Sequence, residues 1–260
     1  MRVRLLLPVF FLIIACGDKV SNTHLIYSHG AVMRTDTTEK RIHLVFTGDE
    51  FADGGNVLRE TLAKHGVKGS FFLTGNFYRN PEFEPIIRGL YEDGHYLGAH
   101  SDRHLLYATW ENRDSLLVTR EEFLKDLLDN YIEMERFGIQ KEDAPYYIPP
   151  YEWYNEEIAR WTEDAGFVLV NFTPGTYSNA DWTIPELGRQ YVCSDTIVAR
   201  IHRFEEKHGL NGFILLTHIG AHPDRPDPFY NYMDNLISEL KDRGYRFELL
   251  NNAIPYKDSK

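Results

Sequence analysis

Cysteine is almost absent: the 260 residues hold two, Cys16 and Cys193. A disulfide framework is therefore excluded, and the fold has to stand on its apolar core. Basic residues are also in deficit, 28 Lys and Arg against 39 Asp and Glu, for a net charge of −11. A nucleic-acid or anionic-membrane partner finds no electrostatic support in that balance, whereas a neutral or cationic substrate is easier to accommodate. No apolar run is long enough to span a bilayer; the longest, Leu5 to Ala15, is too short. Repeats, low-complexity tracts and an internal linker are missing as well, which favours one domain over two.

What is present begins with that short run. Met1-Arg2-Val3-Arg4, the apolar residues from Leu5 to Ala15, and Cys16-Gly17 supply the basic, hydrophobic and small-residue parts of an export signal. Ile13-Ile14-Ala15-Cys16 resembles a bacterial lipobox, in which cleavage before the cysteine exposes a thiol for lipid modification. The expected organisation is a lipoprotein signal peptide over 1–15, a polar tether over 16–40 and a catalytic-sized domain over 41–260. With Cys16 lipidated, Cys193 has no partner. The protein is expected to be exported and lipid-anchored at the cell envelope, periplasmic or surface-facing, with the anchor its sole membrane contact.

The content of 43% hydrophobic and 14% aromatic residues is enough to bury one substantial core. From Arg41 onward, short β-rich runs alternate with amphipathic stretches. Strands are expected at 42–46, 69–73, 96–99, 146–148, 167–172, 212–217 and 245–250. Helices are expected at 57–65, 82–92, 120–137, 155–165, 195–208 and 230–243, several closing on glycine, as at Gly66 and Gly166. This alternation implies βα units around a parallel sheet, either a closed or nearly closed barrel or an open doubly wound sheet. The barrel is favoured because reactive side chains fall just after strands, where barrel active sites are assembled. Asp49 and Glu50 follow the first expected strand, His100 the third, Pro149-Pro150-Tyr151 the fourth and His218 the sixth.

His100 and His104 stand four residues apart. In a helical turn, or a tight loop like one, that spacing aims two neutral imidazoles at one divalent ion, and the pair Asp49-Glu50 is the natural source of a third ligand. One carboxylate and two imidazoles leave an open position on a metal such as zinc, where bound water becomes a nucleophile at neutral pH. Hydrolysis then needs a base and an acid, roles that suit Asp49 and His218.

The chain resembles the polysaccharide deacetylases, the NodB-homology domain of carbohydrate esterase family 4, over roughly residues 41 to 251. The resemblance is carried by Ala63-Lys64-His65-Gly66-Val67-Lys68-Gly69-Ser70-Phe71-Phe72-Leu73-Thr74-Gly75 and by the run from Gly94 to His104. Phe213-Ile214-Leu215-Leu216-Thr217-His218 is similar to the late Leu-x-His motif, and Asp181-Trp182 to a weaker fourth one. It implies a distorted (β/α)7 barrel and removal of N- or O-acetyl groups from a glycan with a divalent metal, zinc being expected. It also implies roles: Asp49 as base, Glu50, His100 and His104 as metal ligands, and His218 as acid. Trp182 and Leu216 would wall the acetyl methyl group, and the backbone N–H of Tyr151 would help hold the oxyanion.

Two departures stand out. The family's first motif, Thr-Phe-Asp-Asp-Gly, reads Thr47-Gly48-Asp49-Glu50-Phe51 here, and Ile148 occupies the position of an arginine that pairs with the base. Two alternatives follow: another metal-dependent amide or ester hydrolase on the same scaffold, or a catalytically impaired glycan-binding lipoprotein. His222, four residues after His218, lies among Pro223, Pro226 and Pro228, and is expected in a rim loop. There Asp224, Arg225 and Asp227 would be placed to touch a sugar, with Tyr107, Trp110, Trp153 and Tyr154 as stacking candidates.

Overall fold

In the computed structural model, which describes residues 24–256, the strands are β1 (Ile26–Ser28), β2 (Ala31–Arg34), β3 (Arg41–Gly48), β4 (Ser70–Leu73), β5 (Tyr96–Ala99), β6 (Tyr146–Tyr147), β7 (Val168–Leu169), β8 (Phe213–His218) and β9 (Arg246–Phe247). The helices are α1 (Gly55–His65), α2 (Gly75–Arg79), α3 (Glu84–Glu92), α4 (Arg120–Glu135), α5 (Glu156–Asp164), α6 (Ser194–His208), α7 (Met233–Asp242) and α8 (Leu250–Ala253). The expected signal peptide and the expected lipidation site Cys16 lie outside the described residues.

Local chemistry sets many of the boundaries. Thr119 and Glu122 form a reciprocal capping box that starts α4, and the Asn155 side chain accepts from Ile158 N–H at 3.0 Å to start α5. Gly66 ends α1 at φ +61°, a conformation that costs glycine little. The short α2 has no amphipathic period to betray it in the sequence; Thr74 caps it by accepting from Phe77 N–H at 3.1 Å.

The strands run in the order β1-β2-β8-β3-β4-β5-β6-β7, with β9 against the start of β3. From β8 through β3, β4, β5 and β6 to β7 every pairing is parallel. The sheet then curls nearly shut. β2 pairs antiparallel with β8 through Arg34 and Phe213, while Val32 bridges Val170 just beyond β7, with Asn171 N–H donating to the Val32 carbonyl at 2.9 Å. The protein is thus an α/β distorted barrel whose seam is filled by β2. That strand comes from the stretch expected to be tether, and the reason is burial: Ala31 and Val32 are fully inside the core.

Phe46, Phe71 and Phe72 on β3 and β4, with Leu215 and Leu216 on β8, are fully buried, consecutive residues facing the barrel interior and the helix layer in turn. Parallel strands covered on both faces read as continuous apolar runs, as these do. His95, just before β5, is buried edge-on against Phe71 and accepts from Gly69 N–H at 3.1 Å through Nδ1. Burial, aided by repulsion from Lys68, lowers its pKa to about 4. The unfolded chain therefore binds this proton first, and stability is full above about pH 6.5 and lost as pH falls toward 4. The loss is expected to reach roughly 3 kcal/mol by pH 4. Unfolding at stepped pH should show that much less acid sensitivity in His95→Asn than in the native chain; equal slopes would count against the assignment.

Candidate active site

The chain ends of β3, β5, β6 and β8 open into one cavity of about 780 Å³. Its lining includes Asp49, Glu50, His100, His104, Tyr151, Trp182 and His218, all singled out by the sequence. Leu216 is not in the lining; it is fully buried within β8, opposite Val45 of β3.

His100 is held on three sides. Its backbone N–H donates to the Asn130 side chain at 2.8 Å and to the Leu73 carbonyl at 3.3 Å, and its Nδ1 lies 2.9 Å from the Ile148 carbonyl. A carbonyl can only accept, so Nδ1 carries the proton and Nε2 presents a lone pair. Burial, with repulsion from His104, drives the His100 pKa well down. After it the chain turns sharply, with Ser101 at φ +72° and His104 at +55°, and Ser101 Oγ accepts the His104 N–H at 2.9 Å. The two imidazoles are thus brought together by a tight loop rather than a helix, ring centroids 5.1 Å apart. Burial lowers the His104 pKa against the attraction of Asp49.

Asp49 makes no ion pair among the described residues. Its Oδ1 accepts from Thr74 Oγ1 at 2.7 Å and Asn76 Nδ2 at 3.2 Å, two neutral donors at the start of α2. Ile148, where the sequence resemblance would place an arginine, is fully buried. Glu50 lies in the cavity lining and is exposed.

On the far wall, Asp181 is buried and grips His218 twice. Oδ1 lies 2.6 Å from Nδ1, and Oδ2 accepts the backbone N–H at 2.8 Å. Burial opposes a charge on His218, but the Asp181 carboxylate outweighs it and the pKa is raised. Nε2 is left free for a ligand.

The residue that the sequence reading missed is Glu152. It follows Tyr151 directly, and both sit in left-handed backbone, φ +58° and +52°. Such strain in two successive non-glycine residues is rare and costly. The turn places the Glu152 side chain, 9% exposed, with Oε1 4.0 Å from His100 Nε2. Burial raises its pKa to about 7, the attraction of His218 notwithstanding. Its adjacency to Tyr151 in the Pro-Pro-Tyr-Glu run was the one sequence signal available.

The rim is aromatic. Trp110 is 54% exposed, Tyr151 45% and Trp182 51%, and all three line the cavity. The Tyr151 ring packs on His104 with centroids 4.3 Å apart, and Trp110 meets it edge-on at 5.7 Å. Tyr107 and Tyr154, proposed from sequence as stacking rings, are buried instead. Tyr107 Oη donates to Asp126, and Tyr154 Oη to the Ser28 carbonyl. Arg225 is likewise internal, donating to the carbonyls of Thr183 and Val192, which fixes the rim loop rather than offering a sugar contact. His222 does reach the cavity rim.

The sequence profile of the polysaccharide deacetylase family matches residues 34–170. The chain belongs to the polysaccharide deacetylase family. A curated relative, the peptidoglycan-N-acetylmuramic acid deacetylase PdaA of Bacillus subtilis, is 27% identical over 238 residues, 91% of this chain and 80% of its own length. Among solved structures, a family 4 carbohydrate esterase pseudoenzyme from Bacillus anthracis superposes with a TM-score of 0.69 at 20% identity, covering 89% of this chain and 71% of that one. Bacillus subtilis PdaA itself superposes with a TM-score of 0.65 at 22% identity, covering 86% and 85%. At these identities the superpositions establish the shared fold.

The deacetylase family's divalent metal finds an incomplete set of donors here. His100 and His104 converge, and His100 offers a free lone pair. However, Glu50, though exposed in the same cavity, does not join them: among the described residues no three His, Cys, Asp or Glu side chains stand close enough to hold an ion. Two imidazoles alone are short of the three protein ligands that a catalytic zinc takes.

Proposed function

We propose that this protein binds an acetylated glycan in the cavity at the chain ends of the barrel strands, and that the metal-dependent acetyl hydrolysis of its family is impaired. The observation that carries the reading is the pairing of an open, aromatic-rimmed cavity with a donor set one carboxylate short. The altered first motif and Ile148 support it, because both changes fall on the groups that would handle metal and base. The Met1 to Cys16 pattern supports export and lipid anchoring, which would put the cleft where envelope glycans are.

Calorimetry with N-acetylated oligosaccharides tests the reading. Affinity should be unchanged by a chelator, and Trp110→Ala together with Trp182→Ala should weaken it roughly tenfold by removing stacking area. Acetate release at a rate that a chelator abolishes would overturn it.

A second reading, hydrolysis of another amide or ester, is favoured by one observation: the Asp181–His218 pair is intact, so the means to donate or accept a proton at Nε2 remains. A panel of non-acetyl esters and amides, turned over by the native chain but not by His218→Ala, would establish it.

A further inference from the structure

Outside the cleft, the strongest unassigned feature lies on α6. Arg200, Arg203 and Lys207 fall at i, i+3 and i+7 and so share one face of this helix. With His208, Phe204, Gly175 and Tyr177 they line a groove of about 310 Å³ that contains no carboxylate. In a chain of net charge −11 that is a local inversion of sign. Of the other titratable side chains of this helix, Glu205 pairs with Arg243 and His202 Nε2 with Glu239 at 2.7 Å, while Asp195 and Glu206 make no ion pair among the described residues and do not line the groove. Among the described residues, none of the three cations on the groove face has a carboxylate within ion-pair distance.

Arg200 adds an independent sign of an absent ligand. Its guanidinium stacks over the Tyr177 ring, 4.5 Å from the centroid, yet its Nη1 is buried with no hydrogen-bond partner. A buried charged donor left unpaired is costly, and a guanidinium's geometry is matched by an oxyanion. The Tyr177 ring beside it is itself 60% exposed, an open flat surface of the kind on which a sugar ring stacks.

We infer that this groove is a second subsite that binds an oxyanion-bearing sugar, its carboxylate or phosphate on Arg200, Arg203 and Lys207 and its ring against Tyr177. The turn Ser178–Trp182 starts immediately after Tyr177 and carries Asn179 and Trp182 into the main cavity, so one segment borders both sites. The glycan would then be acetylated at one unit and acidic at another. That link rests on the glycan reading above; the anion site itself does not.

The test is calorimetry on the full chain with four probes: free hexuronate, a sugar phosphate, a neutral N-acetylated tetrasaccharide, and a tetrasaccharide of equal length alternating hexuronate with N-acetylhexosamine. Free hexuronate or sugar phosphate should bind the native chain, and whichever binds names the oxyanion. The acidic tetrasaccharide should bind about tenfold tighter than the neutral one if the anion is a carboxylate. The advantage should shrink with added salt. Arg203→Gln with Lys207→Gln, both exposed positions, should abolish the binding of the free anion and leave the neutral tetrasaccharide unaffected. Absence of binding by either free anion, or binding that survives in the double variant, would overturn the subsite. Loss of neutral binding alone would instead strike at the glycan reading.

Discussion

Replacing Asp181 by alanine is expected to cost about 3 kcal/mol of stability, because it leaves the His218 N–H and the imidazole Nδ1 without their acceptor inside the barrel mouth. The carboxylate also raises the His218 pKa against burial, so its removal should drop that pKa below the ordinary histidine value. A histidine raised by its partner contributes stability that is full below its unfolded pKa and lost as pH rises through the folded one. In Asp181→Ala that contribution should reverse sign, stability then being lost as pH falls below the ordinary histidine range. Asp181→Asn separates packing from charge. Its amide oxygen can keep one of the two bonds, while its amide NH2 would donate to Nδ1 and drive the proton to Nε2. The stability cost should then be smaller, yet in the neutral imidazole the nitrogen facing the cavity should change from acceptor to donor. Imidazole nitrogen shifts by NMR, read beside unfolding curves, would show both effects. An Asp181→Asn chain with the native tautomer would refute the proposed role of the carboxylate.

The second large effect concerns Leu216. The family resemblance makes it a wall for an acetyl methyl group, but the residue is fully buried in β8 and contributes nothing to the cavity lining. Leu216→Ala is therefore expected to act as a core truncation, losing about 2–5 kcal/mol, or on the order of 10 °C in Tm. Oligosaccharide affinity, measured well below the melting range, should stay near native. A variant that melts normally but binds poorly would restore Leu216 to the pocket.

Much of the fold was legible because its signals are short-range. Apolar runs, amphipathic periods and terminal glycines are properties of neighbouring residues, and the expected strand over 96–99 coincides with β5 while the expected helices over 57–65 and 195–208 fall within one or two residues of α1 and α6. β1 and β2 were read as tether because residues 26–34 carry no long period, and their pairing is decided by Val32 meeting Val170 across the barrel seam. Tyr107 and Tyr154 show the same limit in the opposite sense. Exposed and buried aromatics look alike in sequence until a partner such as Asp126 is brought to the hydroxyl.

The sequence by itself determined the family, the alternating architecture, and the placement of Asp49, His100, His104 and His218 at strand ends, because motif spacing and periodicity are local. Tertiary structure decided which of these groups act together. Glu50 borders the cavity without joining the imidazoles, Thr74 and Asn76 rather than an arginine meet Asp49, and Glu152 swings beside His100 on a left-handed turn. Asp181 takes hold of His218 from 37 residues away. A donor set is a condition on distances between segments far apart in the chain, and only the closed sheet fixes those distances.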